Sequence, residues 1–273
     1  MTKKDSAISR RSVRVAILAS ILIMTSCGSM NSPGATVLDA FRSDEDIVST
    51  ALARTSRVDT VLIHQVLGEL DGHPAAEMDI RVSRQSGQLY ATGSMFGGPI
   101  ELLLTRDGRL SKISAMNTPA MREIYPTMTE NTWFKMPRDG DLFADLMASI
   151  AQDPTVLMGL ESASVTEAVK MGTSDVDGVA VVRYSVKYNP QKYGAELVSR
   201  YPVLKNEPDY ERKVLDVVPV EVTISVDPGR GLVIVAEGRN QLSKYVNYFS
   251  AFDKPVSIPA PADADVIVTP LPR

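Results

Sequence analysis

Few residues in this 273-residue chain could do covalent or acid–base chemistry. It has one cysteine, Cys27, and two histidines, His64 and His73. Serine-type hydrolysis needs a nucleophile, a base and an acid that orients the base. No motif sets either histidine beside a nucleophilic serine. Asp175-Val176-Asp177-Gly178 pairs two carboxylates but lacks the further oxygen ligands and closing glutamate of a calcium loop, so it reads as a hairpin turn. Gly97-Gly98-Pro99 is not followed by the Lys-Ser/Thr and helix start of a phosphate cradle, so it reads as a bulge or turn. The expectation is a protein that is not an enzyme, with no catalytic residue, no metal site and no cofactor.

Cys27 is a different kind of reactive residue, because of what precedes it. Lys3, Lys4, Arg10, Arg11 and Arg14 form a basic segment, and an apolar run follows from Val15 to Met24. A charged region, a short apolar region and small residues at a cleavage point make an export signal. The run is about ten residues, and a spanning helix needs roughly twenty. Met24-Thr25-Ser26-Cys27 looks like a bacterial lipobox, where cleavage precedes a diacylglyceryl-modified, palmitate-bearing cysteine. Residues 1–26 are therefore expected to be a lipoprotein signal peptide and Cys27 the lipidation site. Residues 27–34, small and polar, read as a flexible tether. Residues 35–273 read as a single domain. Export is expected through the Sec route, with Ser9-Arg10-Arg11-Ser12-Val13-Arg14 leaving the twin-arginine route open. The expected location is the extracytoplasmic face of the cell membrane, with the chain anchored through Cys27.

Removal of residues 1–26 would take the formal charge from −4 to −8. An acidic chain without clustered Lys/Arg is not a nucleic-acid binder. With Cys27 lipidated, no thiol is left for a disulfide or a zinc site. The domain must rest on its own apolar core, which a length near 250 permits.

The elements follow from local signals. Ser43 is placed to cap a helix whose first turn holds Asp44, Glu45 and Asp46, with Ile47, Val48, Ala51 and Leu52 on one face to about Thr55. Strands are expected over Thr60–Leu70, Met78–Ser83, Gln88–Phe96, Ile100–Arg106 and Arg109–Ser114. Turns fall at Asp71–Pro74, Gln85–Gly87, Gly97–Pro99 and Asp107-Gly108. Asn131–Pro137 reads as a strand with Trp133, Lys135 and Pro137 on one face and Phe134 and Met136 on the other. Asp141–Ala151 reads as an amphipathic helix. Thr155–Ser162 reads as a short helix or a loop. Glu167–Ser174 and Gly178–Tyr188 form another hairpin. Tyr193–Arg200 and Asp209–Val217 read as helical. Val220–Val226 pairs with Leu232–Glu237, Lys244–Phe249 is a last strand, and Pro259–Arg273 is expected to lie extended over the surface. A run of consecutive hairpins is an antiparallel meander, and a long one curls.

Taken in order, several stretches carry a family resemblance. They are the lipobox cysteine, Asn131–Pro137 with the helix after it, Asp177–Val186, Val218–Asp227 and above all Phe252-Asp253-Lys254-Pro255-Val256-Ser257-Ile258. The chain resembles the actinobacterial cell-envelope lipoproteins of the LppX/LprG type over nearly all of the mature sequence. That resemblance implies an α+β fold like that of the LolA/LolB carriers: a strongly bent antiparallel β-sheet, or half-barrel, with helices packed on its concave face. It also implies an apolar cavity that binds or transports an acylated lipid or glycolipid. The sequence departs from the pattern at Val222–Asp227, which has no tryptophan, and in the insertion Pro190–Pro219.

With that cavity in mind, Leu142, Phe143, Leu146, Met147, Ile150 and Met158 become candidate cavity-lining residues, with Met171 beside them. Met-rich faces adapt to flexible partners. The other reading is a helix that simply packs on the sheet. The expected partners are thus a lipid ligand and the membrane, and the rival is an anchored structural or protein-interaction domain of the same fold.

Overall fold

The computed structural model describes residues 42–70, 73–95, 97–105, 108–113, 132–136, 154–202, 215, 218–219, 221–239, 244–262 and 266–268. The expected signal peptide, Cys27, the tether, and the 141–151 helix with Leu142, Phe143, Leu146, Met147 and Ile150 lie outside these residues. So does the expected helix at Asp209–Val217, apart from Leu215.

The first described element is α1, Asp44–Thr55. Ser43 adopts extended backbone, and its hydroxyl accepts from the Asp46 N–H at 3.2 Å. That satisfies one of the four N–H groups a helix leaves unpaired at its start. The strands β1 (Thr60–Leu70), β2 (His73–Ser83), β3 (Gln88–Met95), β4 (Gly98–Thr105), β5 (Gly108–Ile113) and β6 (Trp133–Met136) follow. His73 and Pro74 open β2 and are not part of the turn, and Gly98 and Pro99 open β4. Next come α2 (Pro154–Ser164), β7 (Val165–Val176), β8 (Val179–Tyr188) and α3 (Pro190–Arg200). The segment read as helix or loop is therefore α2, and Pro154 starts it, where the missing N–H costs nothing. Asn189 caps α3 through its side chain, which accepts from the Lys192 N–H at 2.9 Å. The chain then forms β9 (Glu221–Asp227), β10 (Leu232–Arg239), β11 (Lys244–Ser250) and β12 (Val266–Val268).

One sheet of twelve strands runs β12-β6-β5-β4-β3-β2-β1-β11-β10-β9-β8-β7. It consists of two antiparallel meanders, β1–β6 and β7–β11, joined where β1 pairs with β11. Among the described residues its two ends, β12 and β7, do not pair, and the sheet is curved and open, an α+β fold with helices on the concave face. Local turn chemistry sets the hairpins. Between β7 and β8, Asp177 and Gly178 both have positive φ, 50° and 80°, which a two-residue hairpin turn of the primed type requires. In β3, Gly93 marks a close approach: a Cβ there would run into the Glu77 carbonyl oxygen on β2.

Pro259–Arg273 is not merely extended. Val266–Val268 adds to β6 as the sheet's parallel strand. Ile258 and Val266 pack on the small outer-face cluster of Leu103 and Trp133. The tail has an apolar ring to cover, which the proline content alone does not reveal.

The main core lies on the concave side. Val48, Ala51 and Leu52 of α1 pack with Val61 and Ile63 of β1, Ile80 of β2, Ile224 and Val226 of β9 and Val233 of β10. Thr55 Oγ1 accepts from the Val233 N–H at 2.9 Å. At the other end of α1, Glu45 and Asp44 accept from the Ala168 and Lys170 N–H groups. β7 is the sheet's edge, so these carboxylates cover part of an otherwise unpaired row of donors. Backbone and Ser43 hydrogen bonds, and then the Ala168 N–H, hold the Glu45 carboxyl below its ordinary value.

Candidate functional site

Strand alternation decides which side chains face the helices. On β1, the Val61, Ile63, Gln65 and Leu67 phase is the concave one, and Leu62, His64 and Val66 face outward. Across the β1–β11 seam, Ile63 stands opposite Phe249, Gln65 opposite Asn247 and Leu67 opposite Tyr245. The first pair is apolar and lies toward α1. The second pair is polar, yet Gln65 is 3% exposed and Asn247 5%. Gln65 Nε2 donates to Asn247 Oδ1 at 3.0 Å. Gln65 Oε1 is buried with no hydrogen-bond partner among the described residues.

The polar character continues from Tyr245 toward α2 and α3. Glu161, on the last turns of α2, is 5% exposed. The Tyr188 hydroxyl, from the end of β8, donates to Glu161 Oε2 at 3.2 Å. Burial pushes the Glu161 carboxyl up to about 7, and the Tyr188 hydrogen bond is the counterweight. Burial first, and the nearby Glu161 charge next, hold the hydroxyls of Tyr188, Tyr193 and Tyr245 well above the ordinary phenol range. Tyr193, on α3, is fully buried, and its hydroxyl has no partner among the described residues. The helices are pinned around this group. Arg200 of α3 donates to the Gly159 carbonyl of α2 at 3.0 Å, and the Asn189 N–H donates to the Ser164 carbonyl at 2.8 Å. The opposite end of α2 is held by Arg84, which donates to the Val58 carbonyl and to Thr155 Oγ1.

The concave face therefore has two ends. One is dry and apolar under α1. The other carries a strip of one buried amide pair, one buried carboxyl, two buried phenols and the half-buried Tyr245. A strip of this kind can exchange hydrogen bonds with a bound molecule and needs no bond-making step to do so. Neutral Glu161 would both donate and accept.

Met158, expected as a cavity-lining residue, is 2% exposed and packs in the main core cluster. Met171 points the other way and is 58% exposed on β7. Gln65, Asn247, Glu161, Tyr188, Tyr193 and Tyr245 did not emerge from the sequence. The available signal was a break in pattern: Gln65 interrupts an alternating apolar phase, and Glu161 interrupts the apolar run Val156–Leu160.

The outer face offers shallower ground. A groove of about 690 Å³ is bordered by His64, Val176, Val179, Ile234, Tyr248 and Lys254, among others. A second of about 500 Å³ lies over Thr223, Glu237, Lys244 and Val246 at the other end of the same strands. His64 is held there by its cross-strand neighbour Asp79, with Nδ1 and Oδ1 2.9 Å apart, and by Glu77 at 3.6 Å. All three are substantially exposed, so the contact adds little to stability.

No protein-family model matches the chain, and no curated protein sequence matches it. Its fold is similar to that of LprF from Mycobacterium bovis, at 14% identity and a TM-score of 0.47, over 80% of this chain and 97% of that one. It is similar also to the lipoprotein LppX from Mycobacterium tuberculosis, at 13% identity and a TM-score of 0.48, over 79% and 98%. A more distant likeness is to the MucA/MucB complex structure from Pseudomonas aeruginosa, at 15% identity and a TM-score of 0.34, over 81% and 59%.

Proposed function

We propose that this chain is a lipid-anchored protein of the extracytoplasmic membrane face that holds an acylated ligand on the concave side of its sheet, without catalysis. The anchor is a diacylglyceryl group on Cys27, and the ligand is an acylated lipid or glycolipid. The reading is carried by one conjunction: a lipidation-type cysteine after a short apolar run, on a chain whose curved, open sheet turns a largely apolar face toward its helices. Burying an acyl chain is worth about 0.8 kcal/mol per methylene, and leaving a bilayer costs the same. Such a protein works as an exchange chamber with little net gain in either direction.

The test uses the full chain expressed with its own N-terminus. Organic extraction of the purified protein should release stoichiometric lipid, and Cys27→Ala should leave the membrane fraction while still folding. Protein free of lipid would overturn the ligand reading. Cys27→Ala that stays in the membrane would overturn the anchor. A second reading, an anchored interaction domain, is favoured by β7. It is an edge strand that leaves Val169 and Met171 exposed, at 51% and 58%. Lipid-free protein that captures a partner through this edge, with capture lost in Val169→Lys, would support it.

A further inference from the structure

We propose that the polar end of the concave face selects ligands carrying uncharged hydroxyl groups, through Gln65 Oε1 and the Tyr193 hydroxyl. The inference rests on the ligand-binding reading above and adds the chemistry that the buried end recognises. Two buried atoms are unmatched among the described residues, one that only accepts and one that also has a proton to donate. Gln65 Oε1 can only accept, and the Nε2 donation to Asn247 Oδ1 fixes which side of the amide it occupies. The Tyr193 hydroxyl has a proton to donate. Unmatched buried polar groups are rare in folded proteins, and a bound molecule is one way to match them. Between them stand Asn247, Tyr245 and Glu161, which join the two into one strip.

The kind of occupant follows from the inventory of donors and acceptors. A phosphate diester or an ionised fatty acid only accepts, so it would leave Gln65 Oε1 unmatched. It would also bring negative charge beside Glu161. An ammonium only donates and cannot take the Tyr193 proton. An ester without a hydroxyl also only accepts. A hydroxyl does both, and two hydroxyls on neighbouring carbons could reach along the strip. The acyl chains of the same molecule would then lead away from the strip, since the end under α1 is filled by Val61, Ile63 and Phe249 packed against the helix. A ligand bound this way has its hydroxylated part inside the protein.

The experiment compares two probes with the same acyl chain, monoolein and methyl oleate. They are titrated by native mass spectrometry into the full chain held in lauryldimethylamine oxide, a detergent without hydroxyl groups. Monoolein should bind at least tenfold tighter. Tyr193→Phe and Gln65→Met should each reduce that preference to about threefold or less, by weakening monoolein and leaving methyl oleate unchanged. Tyr193→Phe should melt at the same temperature as the parent or higher, because it removes a buried unmatched hydroxyl. If Gln65→Met does not fold, the parent's preference and its loss in Tyr193→Phe decide. Equal binding of the two probes, or a preference that survives Tyr193→Phe, overturns the inference and leaves lipid binding standing. Ordered water on both atoms in lipid-free and monoolein-loaded crystals overturns it also. Binding of neither probe overturns the ligand reading together with this one.

Discussion

The two ends of the concave face are built from the same strands and do opposite things with burial. Under α1, Leu52 and Val48 are fully buried against Val61, Val226 and Val233, and Thr55 makes two hydrogen bonds. At the far end, Gln65, Glu161 and Tyr193 are buried too, but Gln65 Oε1 and the Tyr193 hydroxyl are unmatched among the described residues. Burying apolar surface stabilises the fold by about 25 cal/mol per Å². Burying an unmatched polar group costs about 1–3 kcal/mol. The first end holds the domain together, and the second draws on that stability to keep polar atoms dry. Protein sites that hold a ligand commonly give up stability in this way.

Substitution at the dry end should have the largest effect. Leu52→Ala removes a fully buried side chain where α1 meets the sheet. It should destabilise by about 2–5 kcal/mol in urea unfolding. A loss under about 1 kcal/mol would mean that α1 is not the centre of the core.

The polar end should instead show itself in pH. Glu161 is held near 7 in the folded chain against an ordinary 4.5. Its folded value is the higher one, so the folded state keeps a proton that the unfolded state has lost. Stability from this group is fully present below about pH 4.5 and falls as pH rises to about 7, by a total on the order of 3 kcal/mol. Glu161→Gln should flatten that part of the stability–pH curve, with Tyr188 still donating to the amide oxygen. An unchanged slope between pH 4.5 and 7 would show that Glu161 is solvated.

Smaller effects sharpen the contrast. Ser43→Ala should cost about 1 kcal/mol, because α1 loses its cap and the dry end loses some of its support. Tyr193→Phe should cost nothing and could add up to about 1 kcal/mol, as the removed hydroxyl has no partner to lose. A clear loss in Tyr193→Phe would reveal a hydrogen bond made by a water or by other parts of the chain, and the two ends would then be more alike than drawn.

Most of the described fold was legible in the sequence, because its signals are local. A cap followed by acidic residues starts α1. Asp177-Gly178 and Pro228-Gly229 turn their hairpins, and alternation marks β2 and β8. The boundaries that moved, at His73, Gly98 and Pro154, did so because turn-forming residues also begin strands and helices. The candidate site was far less legible. The sequence pointed to one amphipathic helix and to Met158, and Met158 is packed into the core. Gln65 and Asn247 are 182 residues apart, and nothing local ties one to the other. Glu161, Tyr188 and Tyr193 reach the strip from three different elements.

By itself, the sequence determined most of the described elements and the order of their hairpins, since each depends on neighbours a few residues apart. Only the tertiary structure decided that β1 meets β11, that β12 lies parallel to β6, and that one face carries both a dry end and a polar end. The seam sets the register that stands Gln65 opposite Asn247, and α2 and α3 then close over Glu161 and Tyr193. A buried polar residue looks like any other polar residue in a sequence. Its environment comes from chain segments far away, and the environment makes it a site.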